Sequence, residues 1–273
     1  MNLHKPTFNV NKLRKTVLEM AYAGSTVHIG CAFSIIELLA VLYRNHLNYP
    51  NNDPESKMRD YLVLSKGHGV MAQYACMREL GWLKDNSFTE YFSNGSELKG
   101  LSDSLISGLE VTSGTLGHGF SVGVGMSLGA KLAGTNQKTY ALVGDGEINE
   151  GAIWEGALFA SHHELKNFMV IIDENGFQAM GTTKEVLNLN SIKNKFESFG
   201  FETITIDGHD EECIDQAINK LWSSSSNMPK AVVAKTIKGK GVSFMENNNE
   251  WHYTRLNEHT YNSALAEIEK GEQ

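Results

Sequence analysis

The chain has 273 residues, of which 41% are hydrophobic and 21% are charged, a composition that is typical of a soluble globular protein and excludes wholesale disorder. Its length predicts one large domain over residues 1–273 rather than two domains. The formal net charge is −8 and no basic stripe is present, which disfavours nucleic acid and anionic membrane surfaces as partners.

Segments with helical spacing of apolar residues alternate along the chain with short β-branched runs. In chain order, these patterns predict helices at 10–23 and 34–46, a strand at 61–65, helices at 70–80 and 119–133, a strand at 139–143, a helix at 154–163, a strand at 168–173, a helix at 191–199, a strand at 202–207, a helix at 211–222, a strand at 231–237 and a helix at 257–270. Such alternation predicts an α/β fold with a mostly parallel sheet and helices on both faces.

Cysteine usage and the N-terminal residues bear on the compartment. The three cysteines are widely spaced, which argues against a disulfide framework or a zinc ribbon and favours a reducing compartment. The N-terminal residues show no apolar core of a secretory signal. The apolar segment 115–134 contains His118 and Lys131, which disfavours a membrane span. We therefore expect a cytoplasmic protein with no membrane partner.

Polar residues follow two of the predicted strands. Asp145 lies in a Gly-Asp-Gly turn after strand 139–143, and Asn175 follows strand 168–173. Because ligands bind at the carboxyl ends of strands in open α/β sheets, we expect Asp145 and Asn175 to meet at adjacent strand ends. A carboxylate, an amide oxygen and a backbone carbonyl suit Mg²⁺, which takes further oxygens from phosphates. An Asp-Gly turn alone is common, but the pair predicts a magnesium–diphosphate anchor.

Several collinear motifs make the chain resemble the transketolase family of thiamine diphosphate enzymes. The motifs are AGS at 23–25 with HIG at 28–30, LSKGHG at 64–69, EVTSGTLG at 110–117, GDGEINEGAIWEGALFASHHELKN at 144–167, KTIKG at 235–239 and EWH at 250–252. They extend over nearly the whole chain. The resemblance implies an enzyme that uses thiamine diphosphate and Mg²⁺ to transfer a two-carbon ketol unit from a ketose to an aldose.

The resemblance also implies roles for the residues that match the family's motifs. The metal ligands would be Asp145, Asn175 and the backbone carbonyl of Phe177. The residues that meet the cofactor would be His68, Gly114, Leu116, Gly146, Glu155, Asn175, Lys238 and His252. In this scheme His68, Lys238 and His252 lie around the diphosphate, while Gly114 and Leu116 lie against the cofactor rings.

Three residues are implied to be catalytic, namely His28, His252 and Glu150. His28 would contact substrate and handle protons, because a neutral imidazole both donates and accepts hydrogen bonds near neutral pH. Glu150 would lie at a subunit interface that links paired active sites. We interpret three further histidines, which have no context of the kind that surrounds His28, as structural: His162, His163 and His209.

Four positions depart from the family pattern and bear on the substrate. Leu101 stands where a sugar-contacting histidine is usual, Tyr253 replaces a glycine, His118 replaces a glutamine and Cys31 replaces a serine. Leu101 makes that wall of the site apolar, so we expect a donor or acceptor that is deoxygenated, branched or otherwise modified rather than an ordinary pentose phosphate. Alternatively, His118 or Ser102 restores the lost polar contact.

Transketolases continue into a pyrimidine-binding domain and a C-terminal domain, and this chain matches only the first domain. It therefore resembles the N-terminal subunit of a split transketolase. The resemblance implies a separate C-terminal subunit, a heterotetramer with two copies of each subunit (α2β2), and sugar or sugar-phosphate substrates. Two other interpretations stay open: the α subunit of a 2-oxo acid dehydrogenase or decarboxylase complex, and a non-catalytic cofactor-binding subunit.

Glycines recur at helical spacing in the predicted helix at 119–133. Gly119 and Gly123 are four residues apart, as are Gly125 and Gly129, so each pair lies on one helix face. Glycine within a helix costs about 0.5–1 kcal/mol relative to alanine, which suggests that another backbone approaches closely. Packing inside one chain and contact between two subunits explain this pattern equally well.

Overall fold

The computed structural model describes residues 6–25 and 27–271. Its centre is a parallel sheet of five strands in the order β1-β2-β3-β7-β6. These strands are β1 (Tyr61–Leu64), β2 (Thr139–Gly144), β3 (Phe168–Glu174), β6 (Glu202–Asp207) and β7 (Lys230–Lys235). The strands β4 (Phe177–Gln178) and β5 (Gly181–Thr182) form a small antiparallel hairpin after β3. The expected parallel α/β architecture is confirmed.

Helices connect the strands and cover the sheet. They are α1 (Val10–Ala23), α2 (Ile29–Phe33), α3 (Ile36–Val41), α4 (Val70–Glu79), α5 (Asn86–Thr89), α6 (His118–Leu132), α7 (Gly151–His162), α8 (Thr183–Val186), α9 (Ile192–Ser198), α10 (Glu211–Trp222) and α11 (Glu258–Lys270). A π-helical turn, Leu42–His46, continues α3, and short 3-10 turns occur at Pro50–Asn52, Gly67–Gly69, Glu147–Asn149 and Asn249–His252. Within the described part of the chain, no helix is long and apolar enough to span a membrane.

Both faces of strands β1, β2, β3 and β7 are largely buried, whereas the edge strand β6 is half-buried to exposed. Each face of the sheet belongs to a separate apolar cluster. On β2, Tyr140 and Leu142 pack with α1, α4 and α10, whereas Ala141 and Val143 pack with α6 and α7. This alternation follows from the two-residue period of a strand. Burial on both sides explains why β2 and β3 are almost continuously apolar.

The predicted strands agree with the observed ones to within two residues at each end, and α1 and α10 have the predicted bounds. The helix predicted at 34–46 is wrong in part, since the chain forms α2, breaks at Ser34 and Ile35, and resumes as α3 and the π-helical turn. Ile35 has non-helical dihedrals, φ −115° and ψ 10°. The break directs the Ser34 hydroxyl to Asp173 Oδ2, 2.8 Å away. The sequence did not predict α2, because all residues of this helix are buried and a fully buried helix has no amphipathic pattern.

Candidate functional site

A cavity of about 480 Å³ lies at the carboxyl ends of β1, β2 and β3, a volume typical of small-molecule sites. Ten of the predicted site residues line it: His28, His68, Gly114, Leu116, Asp145, Gly146, Glu150, Asn175, Phe177 and His252. A surface groove of about 530 Å³ lies between α1 and α4, but exposed ion-pairing side chains form its wall. The first cavity is therefore the candidate site.

Asp145 and Asn175 meet at adjacent strand ends, as the sequence predicts. The β2–β3 register places Gly144 opposite Asp173. Asp145 Oδ2 accepts a hydrogen bond of 2.6 Å from the N–H of Gly176, which has a left-handed φ of 81°. Asn175 Nδ2 donates to Asp173 Oδ2 at 2.8 Å, and its Oδ1 accepts from Phe177 N–H at 3.0 Å. This network fixes the amide and leaves Asn175 Oδ1 with one lone pair for a ligand.

These oxygens fit a hard cation that is completed by a phosphate. Burial, and then the charge of Asp173, raises the pKa of Asp145 to about 7, a direction that a bound cation would oppose. The described residues contain no group of three or more His, Cys, Asp or Glu side chains able to hold a metal. A cation here would therefore depend on the oxygens of Asp145, Asn175 and Phe177 together with oxygens from a diphosphate and water.

Asp173 organises the site, and sequence reasoning gave it no role. It is fully buried and accepts hydrogen bonds from Ser34, Lys66, Asn175 and Thr236, which come from four different parts of the fold. Burial opposes ionisation, but the Lys66 ammonium and these donors outweigh it and hold the pKa of Asp173 below its usual value. The reciprocal charge raises the pKa of Lys66, again against burial, so both groups are ionised near neutral pH.

Glu147 is a second buried carboxylate that sequence reasoning missed. Its Oε1 accepts from the Gly117 N–H at 2.8 Å and from the Ser65 hydroxyl, and its Oε2 accepts from the Gly144 N–H at 3.2 Å. Burial raises the pKa of Glu147. The side chain thereby joins the ends of β1 and β2 to the start of α6. A signal was available, because Glu147 follows the Gly-Asp-Gly turn directly.

Three histidines from distant motifs form one cluster in the cavity wall. The ring centroids of His28, His68 and His252 are 5.1, 5.4 and 5.9 Å apart. Burial, and then the charge of Lys238, lowers the pKa of His28 to about 4 and that of His252 to about 3. Burial and Lys66 lower the pKa of His68 well below its usual value. All three are neutral near pH 7, so each ring has one donor and one acceptor nitrogen.

Lys238 lies behind His252 rather than in the cavity wall. It is fully buried, and its Nζ donates to His252 Nδ1 at 2.6 Å and to Asn249 Oδ1 at 2.8 Å. The first bond assigns the ring proton of His252 to Nε2, where it is available to a ligand. Burial lowers the pKa of Lys238. Its hydrogen-bond partners in the described part of the chain are neutral, and a buried ammonium in such surroundings favours an anionic ligand nearby.

Two glycines in the cavity wall lie so close to a neighbouring side chain that a larger residue would fit only if that side chain shifted. A Cβ atom on Gly146 would lie 2.7 Å from Gln178 Cβ, and one on Gly114 would lie 2.7 Å from Leu101 Cδ1. Gln178 Nε2 and Asn149 Oδ1 are buried and find no hydrogen-bond partner among the residues that the structure describes, and both residues line the cavity. Since buried polar atoms are normally paired, these atoms also fit a polar ligand.

Several predicted residues lie elsewhere. Glu155 is exposed on α7 and His118 is exposed at the start of α6, and neither lines the cavity. Ser102 is buried outside the cavity wall, and within residues 6–25 and 27–271 its hydroxyl has no hydrogen-bond partner. His209 hydrogen-bonds to Glu37 at 3.0 Å and accepts from the Ile237 N–H at 2.8 Å, which agrees with a structural role.

The parallel sheet, the paired carboxylate and amide, and the buried cations beside neutral histidines are the features of an α/β domain that binds an anionic cofactor at its strand ends. Residues 7–267 match the family model described as the transketolase, thiamine diphosphate binding domain. The chain therefore belongs to that family.

The similar proteins include both single subunits and longer enzymes. One subunit of the apulose-4-phosphate transketolase of Phocaeicola vulgatus is 35% identical over 257 residues, which are 94% of this chain and 91% of that protein. The 6-deoxy-6-sulfo-D-fructose transketolase subunit SqwG of a Clostridium species is 35% identical over 261 residues, which are 95% and 94% of the two chains. Transketolase from Campylobacter jejuni has a TM-score of 0.89 at 29% identity and covers 98% of this chain, which spans only 43% of that enzyme.

Proposed function

We propose that this chain is the N-terminal subunit of a cytoplasmic transketolase-like enzyme that transfers a two-carbon ketol unit from a ketose or its phosphate to an aldose. Thiamine diphosphate and Mg²⁺ would be its cofactors. The observation that carries the proposal is the Asp145–Asn175 pair, which lies beside the three neutral histidines in one cavity. Family membership favours this activity over that of a 2-oxo acid dehydrogenase subunit.

Some residues of this chain would bind the cofactor and its metal, and others would take part in the reaction. Asp145, Asn175 and the Phe177 carbonyl would hold Mg²⁺, and neutral His68 and His252 would donate to diphosphate oxygens. Bound thiamine diphosphate would supply a carbon nucleophile and an electron sink for cleavage of the bond beside a ketose carbonyl.

His28 would donate a proton to, or accept one from, a substrate oxygen. Its lowered pKa leaves a ring nitrogen free to accept at neutral pH, and the other ring nitrogen remains a donor. Gly114 and Leu116 would lie against the cofactor rings, since both line the same cavity.

A separate subunit would complete the active site. The relatives from Phocaeicola and Clostridium are named as subunits. Apolar side chains on neighbouring faces of α6 and α7 are between 43% and 78% exposed, namely Val122, Leu132, Leu158 and Phe159. An exposed apolar surface of this kind marks a protein contact. Glu150 and Glu155 are exposed near that surface, so we propose that they act across a subunit interface in an α2β2 assembly.

Reconstitution tests this function. The purified chain is expected to show no ketol transfer by itself, and to gain activity when it is mixed with its C-terminal partner, thiamine diphosphate and Mg²⁺. The product of the adjacent gene is the first partner to test. A stable complex that binds the cofactor but transfers nothing would instead support a non-catalytic role. Appreciable activity of the chain alone, freed of host transketolase, would refute the split arrangement.

A further inference from the structure

We propose that Tyr253 is a specificity-determining residue, which narrows the space beside His28 and favours aldehyde acceptors that carry fewer hydroxyl groups. This inference rests on the proposed function, in which His28 faces the substrate.

Tyr253 is fixed against one face of His28. The two ring centroids are 4.5 Å apart, with an angle of 39° between the ring planes. The neighbours of these residues form an antiparallel bridge, in which Val27 N–H donates to Thr254 O at 2.9 Å and Thr254 N–H donates to Val27 O at 3.1 Å. The bridge holds the backbone on both sides of this contact in place, so the Tyr253 ring stays packed at a tilt against the His28 imidazole.

Tyr253 does not itself line the cavity and meets it through this contact with His28, which does line it. Tyr253 is 53% exposed, so about half of its surface is available to an incoming molecule. Its backbone is extended, with φ −144° and ψ 99°, a conformation that any residue adopts. The backbone at Tyr253 is therefore unstrained, and it is the Tyr253 side chain that forms the surface beside His28.

Other exposed side chains near this rim are apolar as well. Leu101 lines the cavity and is 42% exposed, while Phe92 is 39% exposed and packs against Gly100. The buried ammonium group of Lys66, which lines the cavity, is hydrogen-bonded to Asp173, and that of Lys238, behind the cavity wall, is hydrogen-bonded to His252. The exposed carboxylate of Glu150 also lines the cavity, but the surface that Tyr253, Leu101 and Phe92 offer to an acceptor is aromatic and aliphatic.

Such a surface selects against hydroxyl groups that lose water without gaining a partner. An apolar wall discriminates only moderately against an added hydroxyl group, whereas a hydrogen-bonding site strongly rejects its absence. We therefore expect about a ten-fold preference for an acceptor that lacks one hydroxyl group, which corresponds to about 1.4 kcal/mol.

The experiment compares glyceraldehyde with its 3-deoxy analogue lactaldehyde as acceptors for the assembled enzyme. The readout is the ratio of the two kcat/KM values, which a general loss of folding or cofactor would leave unchanged. Wild type should favour lactaldehyde about ten-fold, Tyr253→Phe should keep this ratio, and Tyr253→Gly should bring it close to one. Tyr253→Ala repeats the test with a less flexible backbone, and Tyr22→Ala is the matched control, because Tyr22 stacks on Tyr261 outside the cavity.

An unchanged ratio in both Tyr253→Gly and Tyr253→Ala would overturn the inference while the proposed function stands. A wild-type preference for glyceraldehyde would overturn it as well. The proposed function itself would fail if the wild-type complex, supplied with thiamine diphosphate and Mg²⁺, transferred no ketol unit to either aldehyde or to any sugar. This inference would then fail with it.

Discussion

Asp173 shows how much of the site depends on a residue that would not touch the substrate. It is fully buried and receives donors from Ser34, Lys66, Asn175 and Thr236. One of these donors is the side-chain amide of Asn175, and this hydrogen bond orients the Asn175 side chain. The carboxylate therefore holds the cavity's Lys66 ammonium and a proposed metal ligand in one arrangement.

Asp173→Asn is expected to lower the free energy of unfolding by about 3–5 kcal/mol, because it leaves the buried Lys66 charge without its partner. Urea unfolding at pH 7 measures this loss. Asp85→Asn is the matched control, since Asp85 is 85% exposed and pairs with Arg78 only at the surface. A loss no larger than that of the control would mean that Lys66 does not depend on Asp173.

At the scale of elements, α6 has one buried glycine face and one open glycine face. A Cβ atom on Gly119 would lie 2.7 Å from the Cα atom of Ser65, and one on Gly123 would lie 3.4 Å from Phe168. Nothing in the described chain lies within 4 Å of a Cβ atom placed on Gly125 or Gly129. Packing inside the chain thus accounts for the first pair, and contact with another subunit remains the explanation we favour for the second.

The two faces predict opposite effects of the same substitution. Gly119→Ala should destabilise the isolated chain, because the backbone at Ser65 has to move. Gly125→Ala should stabilise the isolated chain by about 0.5–1 kcal/mol, since alanine is the better helix former, but should weaken assembly with other subunits. Thermal unfolding and sedimentation of the two variants separate these effects. Equal assembly by wild type and Gly125→Ala would argue against an interface on this face.

A second inter-element contact joins α1, α3 and the segment after β6. Glu37 on α3 is buried and pairs with Arg14 on α1 and with His209, whose other ring nitrogen accepts from the Ile237 N–H. Burial opposes ionisation, but His209 and Arg14 outweigh it and lower the pKa of Glu37. This contact supports the chain just before Lys238.

Glu37→Gln should cost about 3–5 kcal/mol of unfolding free energy at pH 7, because Arg14 is left as a buried unpaired charge. Because the pKa of Glu37 is lower in the folded chain, its ionised form stabilises the fold fully above the ordinary glutamate pKa of about 4.3. This stabilisation is lost as the pH falls through the pKa that Glu37 has in the folded chain. The gap between wild type and variant should therefore close in acid. Urea unfolding across pH tests this, with Glu19→Gln as the control, because Glu19 is 52% exposed. A gap that does not change with pH would contradict the assignment.

How far the sequence predicts the fold and site depends on the kind of signal each residue gives. Strands β1, β2, β3 and β7 were predictable because their apolar runs reflect burial, and the half-exposed β6 was predictable from its β-branched residues alone. Asp145 and Asn175 were predictable because they follow two of the buried strands. The roles of Asp173 and Glu147 were not, since burial of a carboxylate depends on partners far along the chain. Lys238 was predicted near the cofactor, but its place behind His252 depends on packing that spacing cannot show.

At the scale of the whole molecule, the proposed function requires that the chain combine an anchor for a charged cofactor with an exposed surface for other subunits. Its sheet brings Asp145, Asn175 and His68 to one edge, and the loop before α11 adds His252. The central claim is that this edge holds thiamine diphosphate through Mg²⁺. Because the described residues supply few oxygens to a cation, metal and diphosphate should bind cooperatively.

Calorimetric titration of thiamine diphosphate into the assembled complex tests this claim most directly. Wild type should bind about ten- to a hundred-fold more tightly with excess Mg²⁺ than with EDTA, which corresponds to the loss of charge-assisted contacts. Asp145→Ala should bind weakly in both buffers, and Asp85→Ala, which removes an exposed carboxylate, should match wild type. Equal affinity of wild type and Asp145→Ala for thiamine diphosphate in Mg²⁺ would contradict the account.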